Sequence, residues 1–180
     1  LHAMKEAAVP FYLLPGNHDP LAAGSVFLSG EFTAECPPNV VVLDGTPIEA
    51  APGVTLVSAP WRSKKVTADP IAEACEAAAG IDGMKVLVGH GRCEIFSPDT
   101  ESQELIRLGP AEAAVTSGGV QYIALGDRHS RTAVGSSGRI WYSGAPEPTE
   151  YRETDAGLEL AVTLEGDGVQ VEALQGATWR

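Results

Sequence analysis

The 180-residue sequence predicts an α/β fold. Three observations carry that expectation. Short apolar runs bounded by Pro or Gly recur at 9–14, 39–45, 53–60, 84–90 and 120–126, and read as buried strands. Stretches with helix punctuation at both ends lie among them. After Arg131 the texture changes to paired β segments around Gly-rich turns, so a portion with parallel-type strands precedes a β-rich one. No repeat, low-complexity tract or linker divides the chain, and a single domain over 1–180 is expected.

The opening LHAMKEAA reads as the last turns of a helix, running straight into the strand VPFYLL. Pro15-Gly16 breaks that strand and is followed by Asn17, His18 and Asp19. NVVVLDG (39–45) and GVTLVSAP (53–60) are further strands. In ADPIAEACEAAAG, Asp69 is placed as N-cap, Pro70 in the first helical position and Gly80 past the end. MKVLVGH (84–90) is a buried strand closing on Gly-His. Thr100 and Gln103 have capping-box spacing and predict a helix over 100–109, with a second short helix over 109–118. VQYIALGDRHS (120–130) repeats the order of apolar strand, then polar loop. RTAVGSSGRIWYSG and LELAVTLEGDGVQVEAL each predict an antiparallel hairpin.

Composition bounds the function. The net charge is −12, from 12 basic and 24 acidic residues, and no basic stripe interleaves with aromatics. Such a surface does not indicate nucleic acid as a partner, although bound metal ions can reverse the local field and admit phosphate esters. Three widely spaced cysteines without a CxxC pair predict reduced thiols and a cytoplasmic setting, not a structural zinc module. Cys93 is close to His90 in sequence, yet a small apolar filler is the simpler role. No run has the length of a membrane span, so no membrane partner is expected.

Three of the four histidines stand at strand exits beside glycine, in LLPGNHD, VLVGH and IALGDRH. Taken alone, Asn17-His18-Asp19 reads as a surface turn. Together, the three exits predict loops converging at the carboxyl edge of one parallel sheet. Asn17 offers an amide oxygen, His90 and His129 imidazole nitrogens, and Asp127 a carboxylate. Mixed nitrogen and oxygen donors without thiolate suit Mn²⁺, Fe²⁺ or Zn²⁺. Asp127 and His129 are two residues apart and would share one side of an extended segment. His18, directed elsewhere, is a candidate general acid oriented by Asp19. Arg62, after another strand exit, has a phosphate-clamp reading and a simpler one as an exposed basic loop. Trp61 reads as core or rim.

GNHD at 16–19, the isolated GH at 89–90 and GDRH at 126–129 occur in order, and this pattern resembles the calcineurin-like metallophosphoesterases. In flavour, with YIALGDRH and IWYSGAPEPTEY, it is most similar to the branch holding bacterial DNA repair exonucleases. The resemblance implies a β-sandwich flanked by helices in four layers, α/β/β/α, with its amino-terminal strands missing here. It implies a phosphoester hydrolase, whether phosphodiesterase, phosphatase or exonuclease-like, with two divalent ions of which Mn²⁺ is the first expectation. Asn17, His90 and Asp127 would hold one ion and His129 the other. His18 would protonate the leaving group, with Asp19 supporting it. Asp127 departs from the family pattern, which has histidine there, and this puts metal preference and turnover in question. The family's D-x-H and G-D motifs precede GNHD, and no residue before Gly16 is an aspartate. The expectation is therefore the carboxyl-terminal portion of a longer enzyme, nearly inactive alone and restored by roughly 60 to 90 upstream residues, two βα units of about 30 each. The competing expectation is a non-catalytic scaffold or partner-binding protein that retains the fold.

Overall fold

A computed structural model describes residues 1–147, 157–166 and 168–175. Within them the chain is mixed α/β. It runs α1 (His2–Glu6), β1 (Phe11–Leu13), α2 (Gly30–Glu35), β2 (Val40–Val42), β3 (Ile48–Ala51), β4 (Val54–Ala59), α3 (Pro70–Ala78), β5 (Met84–His90), α4 (Leu108–Thr116), β6 (Tyr122–Gly126), β7 (Thr132–Ala133), β8 (Ile140–Tyr142), β9 (Leu158–Glu165) and β10 (Gly168–Gln175). Part of the expected IWYSGAPEPTEY stretch and one residue of the last hairpin's turn lie outside the described residues.

Six strands form the central mixed sheet, in the order β3-β4-β5-β6-β8-β7. β4, β5, β6 and β8 run parallel, with Val57, Leu87, Ile123 and Ile140 in one row. That row is buried to 2% exposure or less, because α3 and α4 cover its face of the sheet through Ile71, Ala74, Ala111 and Val115. Side chains alternate across a strand, so His90, three residues after Leu87, belongs to the opposite face of β5. The predicted hairpins are present as β7–β8 and β9–β10.

α3 forms where its punctuation puts it. Asp69 Oδ1 accepts from the backbone N–H groups of Ile71 at 2.9 Å and Ala72 at 3.3 Å, satisfying two donors that a helix start otherwise leaves open.

Three expectations are corrected. No helix covers 100–107, and α4 begins only at Leu108. Leu105 and Ile106 are drawn into the core at 5% and 1% exposure, and Ile106 bridges to Cys93 in parallel fashion. A helix there could not bury both while Arg107 donates to the Thr100 and Ser102 carbonyls, so tertiary burial overrides the capping-box signal. Second, β1 is not in the central sheet with the other site-bearing strands. It pairs in parallel with β2 as a separate two-stranded sheet, Phe11 opposite Val40 and Leu13 opposite Val42. The loop after β1 reaches the central sheet by another route, described below. Third, β3 was not expected. It makes an antiparallel hairpin with β4, and its alternating half-buried pattern carries no strong apolar run.

Candidate metal centre

The exits of β5 and β6 are neighbours, because Gly89 pairs with Leu125 and His90 with Gly126. The loop after β1 is fastened beside them through Trp61, which follows β4. Trp61 N–H donates to the Pro15 carbonyl at 3.0 Å and the Trp61 carbonyl accepts from Leu21 N–H at 2.7 Å. Its indole N–H donates to the His90 carbonyl at 2.7 Å, and its ring meets the imidazole edge-on. Trp61, 6% exposed, thus joins the GNHD loop to the end of β5. The sequence predicts core or rim for it, and packing is the only signal it offers. Tyr142 of β8 holds the turn after His90: its hydroxyl donates to the Gly91 carbonyl at 2.7 Å and accepts from Cys93 N–H at 2.9 Å. Burial raises the pKa of that hydroxyl above the ordinary phenol range, which keeps it a neutral donor.

The three strand-exit loops converge. Asn17, His18, His90, Asp127 and His129 together line one cleft of about 210 Å³. At its base, Asn17 Oδ1 lies 3.0 Å from His90 Nε2, and Asp127 Oδ1 lies 3.8 Å from the same nitrogen. The ring of His90 is closed in by two glycines. A Cβ on Gly16 would stand 2.9 Å from the imidazole Cε1, and one on Gly126 would stand 2.8 Å from Nδ1. Neither position accepts a larger residue without moving the ring.

Burial lowers the His90 pKa below the ordinary imidazole value; the Asp127 carboxylate opposes this and the His18 imidazole reinforces it. His90 is therefore biased to the neutral form, the form in which imidazole is a ligand. Asp127 has φ +106°, the only positive value at a non-glycine residue among the described ones. The segment Asp127–His129 is not extended as its spacing suggested, yet both side chains border the cleft. Backbone held in a sparsely populated region is kept there by surrounding structure and clusters at functional sites.

His18 is exposed on the cleft wall, and Asp19 is exposed beside it without lining the cleft. No hydrogen bond joins Asp19 to His18, and Asp19 pairs with no described residue. His129 is exposed, and its carbonyl accepts from Ala145 N–H at 2.8 Å. Arg62 donates to the Asp44 carbonyl, so it is tied to the β2–β3 turn and faces a different cavity of about 350 Å³ that none of the site residues borders. Cys93 is fully buried in the hydrophobic cluster, and burial pushes its thiol pKa up, as befits a filler.

The donor set at the base can be tested against a divalent ion. Two oxygen or nitrogen ligands with bonds of about 2.0–2.2 Å to one ion stand no more than about 4.4 Å apart. Separations of 3.0 Å for Asn17–His90 and 3.8 Å for His90–Asp127 fall inside that limit. The fit is to one partial shell: among the described residues, no three His, Cys, Asp or Glu side chains form a group able to hold a metal ion, and Asn17 is the third donor here. Among the described residues, no helix is long and apolar enough to cross a membrane. The chain matches no family model, and no curated protein matches it.

Proposed function

We propose that this chain carries part of the active site of a metal-dependent phosphoester hydrolase of the calcineurin-like type, with the helix-flanked β-sandwich of that family as its full architecture. The observation that supports the reading is the meeting of Asn17, His90 and Asp127, 73 residues apart at the first pair, around a single point. Asn17, His90 and Asp127 would hold one divalent ion, Mn²⁺ first and Fe²⁺ or Zn²⁺ in its place, and His129 would face a second. When bound, such ions polarise a phosphoryl group and lower the pKa of coordinated water. The residues of the chain do the rest. Gly16 and Gly126 fix the His90 ring, Trp61 fixes its backbone, and burial biases the imidazole to its neutral form. His18, on the wall of the same cleft and accessible to water, is placed to give a proton to a departing alkoxide.

The substrate class is a phosphate ester. The charge of −12 favours small esters over nucleic acid, whose binding rests on Lys and Arg at phosphates. A second reading, a non-catalytic scaffold, is favoured by the incomplete donor set alone.

The test separates ligand from acid. Mn²⁺ binding is followed by electron paramagnetic resonance and hydrolysis by release of p-nitrophenol from its bis-ester. His90→Ala is expected to lower Mn²⁺ affinity by about 100-fold or more, since even outer-shell partners are worth 10–100-fold. His18→Ala should keep Mn²⁺ and lower any turnover by about 10² to 10⁴. Wild-type protein that takes up no Mn²⁺ would leave the scaffold reading standing, and equal metal loss in both variants would merge the two roles.

A further inference from the structure

A second cavity of about 360 Å³ opens directly beside the metal cleft and shares two of its residues, Asn17 and Asp127. Its floor includes Trp61 and its far wall is the loop between β5 and α4, which presents Arg92, Ser97 and Ser102. Its volume lies in the range of small-molecule sites, about 300–1,000 Å³. We infer that this cavity is the binding pocket for a small phosphate ester, with Arg92 receiving the phosphate and the loop receiving the leaving group. This assignment rests on the phosphoesterase reading and adds the binding pocket and a specificity residue to it.

Arg92 carries the first part of the argument. Its guanidinium is exposed on the cavity wall and has no hydrogen bond or ion pair with any described residue, in a chain with twice as many acidic as basic side chains. The other arginine of this loop is used differently. Arg107 holds Glu94 at 3.0 Å and the carbonyls of Thr100 and Ser102 at 2.6 and 2.9 Å, while its own N–H is held by Asp69 at 2.7 Å. One arginine thus braces the wall from behind while the other is left with all its donors available. A planar guanidinium is matched to phosphate oxygens in two-pronged fashion.

The polar lining carries the second part. Asp99 and Glu104 border the cavity along with Ser97 and Ser102. Asp99 Oδ1 accepts Glu101 N–H at 3.1 Å and the Ser97 hydroxyl donates to the Asp99 carbonyl at 2.9 Å, which leaves Asp99 Oδ2 and the Glu104 carboxylate as the acceptors without a described partner. Carboxylates accept hydrogen bonds and repel further phosphates. A leaving group rich in hydroxyl or amino donors suits them, whereas a polyanion does not. One cation next to the metal cleft, with acceptors beyond it, fits a single phosphate carrying a polar organic group.

The experiment titrates inorganic phosphate and adenosine 5′-monophosphate by calorimetry, with and without Mn²⁺, into wild type, Arg92→Ala and Ser102→Trp. Matched circular dichroism and melting establish that the variants are folded. Arg92→Ala should weaken both probes by about ten- to a hundredfold, the usual value of a charge-assisted pair. Ser102→Trp, which fills the cavity, should weaken the nucleotide and leave inorganic phosphate unchanged. If Mn²⁺ binds at the cleft and neither substitution alters either probe, the pocket assignment is overturned and the metal reading stands. If Mn²⁺ does not bind while Arg92-dependent phosphate binding persists, the phosphoesterase reading falls and the pocket stands. Tighter binding of a single-stranded oligonucleotide than of the mononucleotide would overturn the small-ester class.

Discussion

Two aspartates show how differently this fold employs one side chain. Asp69, at the start of α3, has its carboxylate consumed by the backbone: Oδ1 takes Ile71 and Ala72, and Oδ2 takes the N–H of Arg107, 38 residues on. Asp127, at the end of β6, accepts no hydrogen bond from a described residue, faces His90 Nε2 at 3.8 Å and sits at φ +106°. The first stabilises local structure and ties it to a distant loop. The second costs stability, because non-glycine residues in such regions are strained by about 1–3 kcal/mol. Acceptors that the fold leaves unused, held at a cost, mark the place where a ligand is expected.

The largest effect should come from removing the structural aspartate. Asp69→Ala loses an N-cap, about 0.5–2 kcal/mol, and leaves Arg107 N–H without its acceptor, about 1–3 kcal/mol more. A loss of about 2–4 kcal/mol in urea unfolding is expected, with the midpoint lowered and Mn²⁺ affinity of the surviving folded protein kept within a few-fold. A fall in stability below about 1 kcal/mol would mean that the bridge from α3 to the β5–α4 loop contributes little.

Asp127→Gly should reverse both signs. Glycine adopts positive φ freely, so relief of about 1 kcal/mol raises the melting temperature by about 2–4 °C at this chain length. Mn²⁺ affinity should drop by about 100-fold or more with the loss of a carboxylate donor, since even outer-shell partners are worth about 10–100-fold. A variant that melts lower than wild type and binds Mn²⁺ equally well would erase the contrast with Asp69.

That contrast was half legible in the sequence. Asp69 announced itself, because Asp-Pro before a run of alanines is a local signal and the cap is a local interaction. The convergence of Asn17, His90 and Asp127 was also legible, since each follows an apolar run and strand exits tend to gather at one edge. What periodicity cannot report is pairing. It gave β1 as a strand but not its separation, with β2, from the central sheet, and it gave no hint that Trp61 is what brings the β1 loop back. It also misread 100–107, where a local capping pattern loses to the burial of Leu105 and Ile106. The positive φ of Asp127 has no sequence signature, because the residue that would ordinarily announce it is glycine.

The smallest effect refines the structural side of the comparison. Glu94 does for α4 part of what Asp69 does for α3: Oε1 accepts Leu108 N–H at 2.9 Å and Oε2 accepts Arg107 Nη1 at 3.0 Å. The Leu108 N–H first, and the Arg107 guanidinium second, hold its carboxyl below the usual glutamate range. In the unfolded chain it takes up a proton near the ordinary value of 4.5, whereas in the folded chain it does so only at lower pH. Folding then releases a proton in that window, so the stabilisation is fully present above 4.5 and disappears as pH falls through the lowered folded value. The side chain is 30% exposed, which limits the contribution to less than about 1 kcal/mol. Glu94→Gln retains an acceptor for Leu108 N–H but cannot titrate. Melting temperatures measured from about pH 7 down to about pH 3 should therefore fall more steeply for wild type than for Glu94→Gln, by about 2 °C. Coincident curves would mean that the charge on Glu94 is idle and that α4, unlike α3, is started by burial of Leu105 and Ile106 alone.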